Sequence, residues 1–246
     1  MSEDSFHFRQ FCIHQDKCAM KVGTDAVLLG SWIKTGTAKR ILDIGTGTGV
    51  IALMLAQKSN AMIDAIDIDE NAWLQSKQNF ISSPWFDRMH SRHISFQCLV
   101  EEQPESYDLI VTNPPYFHHA SKPIIPSRLN ARHNEALTFD DLVSGVKKLL
   151  TPAGKFCLIL PAKEGMEFLD KAQVNSLFCH HLVRVKTKAD KCEKRFIMEF
   201  GFRFGLLTEE EIILQREDSA FTEDYINLTQ DYYIQLRQMP TAFQQI

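Results

Sequence analysis

Four consecutive residues, Asn113-Pro114-Pro115-Tyr116, are of the types needed to hold a weakly nucleophilic amino group. They follow the apolar run 107–112, which reads as a buried strand. The two prolines end that strand by removing backbone donors, and they restrict the chain so that the Asn113 carboxamide and the Pro114 carbonyl can face one point. An exocyclic NH₂ on a base or an amide delocalises its lone pair into the neighbouring π system. Two fixed acceptors, one for each N–H, drive such a nitrogen towards a tetrahedral shape with its lone pair aimed at an electrophile. Tyr116 offers a ring on which a planar substrate can stack, a contact worth about 1–3 kcal/mol for a base. That offsets part of the few kcal/mol lost when a base is flipped out of its stack. Taken alone, the four residues fit an ordinary turn after a buried strand equally well.

A second group gives them a partner. Asp43-Ile44-Gly45-Thr46-Gly47-Thr48-Gly49 follows an expected strand at 40–44 and opens an expected helix at 48–58. Glycines there let the backbone turn sharply and approach a ligand that a Cβ would push away. Dinucleotide enzymes use G-x-G-x-x-G with a pyrophosphate on the helix N-terminus. Here the spacing is G-x-G-x-G, position 50 is Val50 and an acid stands at Asp43. This suits a cofactor with no pyrophosphate, whose charged amino-acid end and ribose lie along the loop, as in S-adenosylmethionine. Asp67, about 20 residues on and at the end of the next expected strand, can accept both ribose hydroxyl protons. Asp69 is better explained as the cap of the helix expected at 69–81. Methyl transfer from a sulfonium needs no strong base or metal, because the leaving group departs neutral. His118, His119 and His133 lack zinc-ligand spacing and read as polar surface residues, so no metal site is expected.

These motifs need a sheet to bring them together. The chain has 246 residues, 44% hydrophobic and 24% charged, which fits one large α/β domain. Further strands are expected at 61–67, 94–100 and 154–160, and helices at 24–34 (capped by Thr24), 138–150 and 164–175. The segments 182–187 and 195–204 read as an antiparallel pair, and 228–236 as a terminal helix. Right-handed crossovers then build an open doubly wound sheet in which the strands carrying Asp43 and Asn113 meet at the switch point. No stretch approaches the roughly 20 apolar residues of a membrane span, and the first 16 residues do not read as a secretory signal, so a cytoplasmic protein is expected. Six cysteines without a C-x-x-C pair make zinc and disulfides poor expectations. A net charge of −4 gives no global attraction for nucleic acid. A local one is conceivable: Arg184, Lys186, Lys188, Lys191, Lys194 and Arg195, with Arg128, Arg132 and His133, could face a phosphate backbone. A solvated loop balanced by Asp190 and Glu193 fits equally.

The glycine loop and the Asn-Pro-Pro-Tyr turn resemble those of class I S-adenosylmethionine-dependent methyltransferases acting on amino nitrogen, which include N6-adenine, N2-guanine and N5-glutamine enzymes. The run Phe11-Cys12-Ile13-His14-Gln15-Asp16-Lys17-Cys18-Ala19-Met20-Lys21-Val22-Gly23-Thr24-Asp25 and the later Asn130-Ala131-Arg132-His133 are similar to the bacterial tRNA1(Val) N6-adenine methyltransferase family. That similarity extends over nearly the whole chain, including 221–233. It implies a Rossmann-like fold with a mostly parallel seven-stranded sheet and an antiparallel C-terminal strand. One domain, 1–246, would comprise a covering segment at 1–35, a core at 36–207 and an extension at 208–246. The implied activity is N6-methylation of adenosine 37, 3′ of the anticodon, with S-adenosylmethionine as cofactor and tRNA as partner. The implied cofactor residues are Lys21, Thr24, Asp43, Gly45, Gly47, Asp67, Ile68 and Asn113, with Asp25 near the entrance. Asn113, Pro114 and Tyr116 would act at the amino group, and Pro115, Tyr116, Arg132, Lys188 and Lys191 would meet the substrate. Where relatives carry an acid after the third strand for the cofactor adenine, this chain has Cys98-Leu99-Val100-Glu101-Glu102. Three alternatives stay open: a protein-glutamine enzyme of the same fold, an N2-guanine rRNA enzyme, and a non-catalytic RNA-binding protein, the last disfavoured by the intact Asn113 and glycine loop.

Overall fold

The computed structural model describes residues 4–18, 20–102, 106–114 and 137–234. Two short strands, β1 (Ser5–His7) and β2 (Cys12–His14), form an antiparallel hairpin. Then come α1 (Thr24–Trp32), β3 (Arg40–Ile44), α2 (Val50–Gln57), β4 (Met62–Asp67), α3 (Glu70–Ile81) and β5 (Met89–His93). They are followed by α4 (Phe96–Glu102), β6 (Tyr107–Thr112), α5 (Phe139–Leu149), β7 (Leu150–Pro161) and α6 (Ala162–Val174). The chain continues through β8 (Phe178–Lys186), β9 (Glu193–Gly201), β10 (Thr208–Ile213) and α7 (Glu223–Thr229). Strands β3 to β10 form one sheet in the order β10-β8-β9-β7-β6-β3-β4-β5.

Alternation along the central strands explains why both faces are covered. Ile41, Ile63 and Leu109 join the apolar cluster under α1 and α2, whereas Leu42, Ile110 and Phe156 join the one under α4, α5 and α6. Strands buried on both faces are apolar nearly throughout, as parallel sheets require. Order reverses between β3 and β6, which pair in parallel with Ile44 opposite Thr112, so the expected switch point is present.

Four expectations change. The strand expected at 94–100 is a helix: Phe96, Leu99 and Val100 are buried at i, i+3 and i+4, and Ser95 Oγ accepts the Cys98 N–H at 3.2 Å at its start. The true strand, β5, is the polar stretch Met89–His93 at the sheet edge, too hydrophilic to stand out in the sequence. The sheet gains an eighth strand, β10, parallel to β8, so the strand running against its neighbours is β9 rather than the last one. The terminal helix is α7, begun by Thr222 Oγ1 accepting the Tyr225 N–H; Tyr233 lies beyond it and bridges to Phe8. At α1 the N-cap is Gly23, not Thr24, and no side-chain oxygen caps the helix. By contrast Asp69 caps α3 as expected, through the Ala72 N–H at 2.8 Å. Among the described residues no helix is long and apolar enough to cross a membrane.

Candidate active site

The glycine loop leaves β3 and turns back under β4. Gly45 and Thr46 donate their N–H groups to the Ile66 carbonyl at 2.9 and 3.0 Å, and Gly47 donates to Asp67 Oδ2 at 2.8 Å. Gly47 sits at φ +56° with open space where a Cβ would project, which leaves room for a ligand against the backbone. Gly49 is constrained differently: at φ +83° a Cβ would meet Phe80 Cε1 at 2.5 Å, so this glycine lets α2 pack against α3.

Two acids serve this loop from different depths. Asp43 is fully buried, and its Oδ2 accepts the Thr46 hydroxyl at 2.6 Å. The Ala52 backbone N–H at the start of α2 also faces this carboxyl and favours its charged form. Burial pushes its carboxyl up to about 7, the Thr46 hydroxyl opposes that rise, and the nearby Asp67 adds to it. Asp67 ends β4 with Oδ2 on Gly47 and Oδ1 on the Asp69 N–H at 2.9 Å, and burial likewise raises its pKa. Each oxygen of a carboxylate has capacity for a second donor. Ile68, beside it, exposes 44% of its surface, and its carbonyl lies 2.9 Å from His93 Nε2.

The end of β6 faces this loop. Thr112 Oγ1 donates to the Ile44 carbonyl at 2.8 Å, fixing the register, so the next residue, Asn113, stands beside Gly45. A cleft of about 240 Å³ is lined by Gly45, Gly47, Asn113 and Pro114 together with Lys21, Thr24, Asp25 and Arg195. Asp43 lies beneath the loop rather than on that wall. Pro115, Tyr116, Arg132, Arg128 and the three histidines near the turn lie outside the described residues. The residues present would suit S-adenosylmethionine through the open backbone at Gly47 and the spare acceptor capacity of the Asp67 carboxylate bound to it; Asp67 and Ile68, like Asp43, are not among the residues lining the cleft itself.

The remaining expected residues fall into two groups. Lys21 Nζ donates to the Gln15 carbonyl at 2.6 Å, so its charge is drawn towards the N-terminal segment that closes the cleft. Lys188 and Lys191 lie in the β8–β9 turn, at the carboxyl edge of the sheet because β9 starts opposite the end of β7. Lys188 Nζ donates to the Glu217 carbonyl and Ser219 Oγ at 3.1 and 3.2 Å, and Lys191 pairs with Asp190 at 3.2 Å. Arg184 and Lys186 pair with Glu209 and Glu211 of β10, acids whose placement awaited the eighth strand. Arg195 differs from these, because it lines the cleft itself and is held there by Asp25 at 2.7 Å. Sequence reasoning passed over Gln75 and Asn79, both fully buried on α3. Their i, i+4 spacing on the face shared with Ala72 and Phe80 was the available signal.

Known proteins share this chain's sequence pattern and its fold. The family model for a methyltransferase small domain matches residues 18–189. A tRNA1(Val) (adenine(37)-N6)-methyltransferase of Trichodesmium erythraeum is 41% identical over 237 residues, covering 95% of this chain and 99% of the relative. One of the same description from Christiangramia forsetii is 42% identical over 240 residues, covering 96% and 100%. The chain belongs to the tRNA1(Val) (adenine(37)-N6)-methyltransferase family. Solved structures share its fold at low identity. A protein of Agrobacterium tumefaciens described as a predicted O-methyltransferase superposes with a TM-score of 0.67 at 16% identity, covering 85% of this chain and 96% of its own. The T. thermophilus 16S rRNA N2 G1207 methyltransferase, solved with AdoMet and guanosine, gives a TM-score of 0.53 at 19% identity, covering 81% and 50%.

Proposed function

We propose that this chain transfers a methyl group from S-adenosylmethionine to N6 of adenosine 37 in tRNA1(Val), in the cytoplasm. The observation that carries the reading is the side-by-side placement of Gly45 and Asn113 on one cleft, in a chain that matches the family over nearly its full length. When bound, S-adenosylmethionine supplies an electrophilic methyl on a sulfonium and departs as a neutral thioether. Asp67, whose Oδ2 already takes the Gly47 N–H, would accept from the ribose hydroxyls. The glycine loop keeps the backbone close without a Cβ between it and the ligand. Asp43, beneath the loop, holds the Thr46 hydroxyl and so the turn that faces the cofactor.

On the other side of the methyl, Asn113 Oδ1 and the Pro114 carbonyl each accept one N6–H. This holds the nitrogen lone pair towards the cleft, and the two fixed acceptors need no reorganisation as positive charge develops on N6. Asn113 Oδ1 and the Pro114 carbonyl would keep hold of the two N6 protons as N6 gains positive charge, until the surplus one is lost to solvent. Tyr116, with Pro115, stacks the flipped base, and Arg132, Lys188, Lys191 and Arg195 meet the tRNA backbone. Incubation with methyl-labelled S-adenosylmethionine and, separately, bulk tRNA or release factors tests this. Label is expected in tRNA alone. Label in release factors would overturn the proposal in favour of the glutamine enzyme.

A further inference from the structure

Helix α3 buries polar side chains where an amphipathic helix normally buries apolar ones. Asn79, 0% exposed, makes three hydrogen bonds to two separate segments. Its Oδ1 accepts the His14 N–H at 2.9 Å, and its Nδ2 donates to the His14 carbonyl and the Thr48 carbonyl, each at 2.8 Å. Both carbonyls can only accept, so the amide nitrogen must face them and the orientation of the side chain is decided by its partners. The amide thus serves the free edge of β2 as one rung of a neighbouring strand would. One turn earlier, Gln75 Oε1 accepts the Lys17 N–H at 2.8 Å, and Lys17 Nζ reaches Gln78 Oε1 at 3.1 Å.

The two segments that Asn79 joins both line the cleft. Thr48 belongs to the glycine loop. His14 begins the segment in which Gln15 Oε1 accepts the Val22 N–H at 2.9 Å, and which carries Met20 and Lys21 to the cleft. Nothing in the chemistry of methyl transfer uses Asn79, yet it sets the distance between these segments.

We propose that Asn79 is a positioning residue for cofactor uptake: it locks the N-terminal segment to the glycine loop, and so fixes the width of the cofactor cleft. This rests on the cleft being the S-adenosylmethionine site. Asn79 acts through His14 and Thr48 without touching either substrate. Replacing it should therefore weaken cofactor binding more than turnover. A carboxylate at this position would point oxygen at two carbonyls and should be worse than simple truncation.

The test compares the full-length protein with its Asn79→Ala and Asn79→Asp variants, by calorimetric titration with S-adenosylmethionine, steady-state kinetics on tRNA and hydrogen exchange. Asn79→Ala is expected to raise Kd and KM for the cofactor about 10-fold, as loss of buried hydrogen bonds would, while kcat stays within about threefold. Asn79→Asp at pH 8 is expected to bind more weakly still, and faster exchange should be confined to residues 12–18 and the glycine loop. Unchanged affinity in both variants would overturn the proposal, as would loss of affinity accompanied by faster exchange throughout the sheet. Should Asn79→Ala fail to fold, Asn79→Ser, which keeps a donor, takes its place under the same criteria. Failure of the unsubstituted protein to bind S-adenosylmethionine would instead refute the reading of the cleft, independently of Asn79.

Discussion

The two sides of Asn113 are built from different materials. Towards β3, β4 and β5 the site is made of backbone N–H groups, glycines at positive φ, a buried amide and two acids pressed against the loop. Towards β7 and β9 it is made of charged side chains: Arg195 paired with Asp25 at 2.7 Å on the cleft, and beyond it the turn lysines Lys188 and Lys191. The difference follows from what each side must hold. A small cofactor of fixed shape is gripped by rigid backbone that needs no reorganisation. A polyanion is better met by side chains whose present pairs are worth only about 0–1 kcal/mol and can be exchanged for phosphate. Substitutions on the first side should therefore act strongly and independently of salt, and those on the second weakly and with salt.

The largest effect is expected at the junction itself. Asn113→Ala should lower kcat about 10²–10³-fold, the cost of one lost acceptor of this kind, with cofactor affinity nearly kept. Single-turnover rates and calorimetry on the same sample check this, and equal turnover would remove the proposed mechanism. Next, Gly49→Ala should cost roughly 2–3 kcal/mol of stability, because it adds a left-handed strain to a clash with Phe80; urea unfolding measures it. A loss near zero would mean that the loop is softer than its contacts indicate.

Asp43 sharpens the contrast through pH. Its folded pKa, about 7, lies above the ordinary carboxylate value, so its contribution to stability is full below about pH 4 and is lost as pH rises through 7. Asp43→Asn removes that dependence. The melting temperature of the variant relative to the unsubstituted protein should then improve by roughly 5 °C or more between pH 5 and pH 8. A difference that does not change with pH would contradict the burial of a titrating acid there. The smallest effect is expected on the other side. Arg195→Ala should weaken tRNA binding about 3–10-fold and reduce the salt slope by about one, as loss of one phosphate contact does. An unchanged slope would take Arg195 out of the RNA-facing surface.

Legibility in the sequence divides along the same line. The glycine loop and the adjoining of the strands that end at Ile44 and Thr112 could be read because Gly45 and Gly47 answer a backbone requirement that few residue types meet, and the motif spacing fixes which strands must adjoin. The polar edge strand β5 and the eighth strand β10 could not. Their residues, Met89-His90-Ser91-Arg92-His93 and Thr208-Glu209-Glu210-Glu211, have no apolar alternation, and they become strands because a neighbour offers hydrogen bonds. Asn79 and Gln75 were hidden for the opposite reason: amides on a helix read as solvent-facing until the segment at 14–17 is seen to cover them. The basic cluster was visible as composition, but only the placement of Glu209, Glu211 and Asp25 separates Arg195, on the cleft, from Arg184 and Lys186, paired away from it.

The most direct measurement is nucleoside mapping by mass spectrometry of tRNA1(Val) treated with the enzyme and methyl-labelled S-adenosylmethionine. The geometry at Asn113 and the family membership together predict one labelled product, N6-methyladenosine at position 37. N2-methylguanosine, a label elsewhere in the tRNA, or no labelled nucleoside would contradict it.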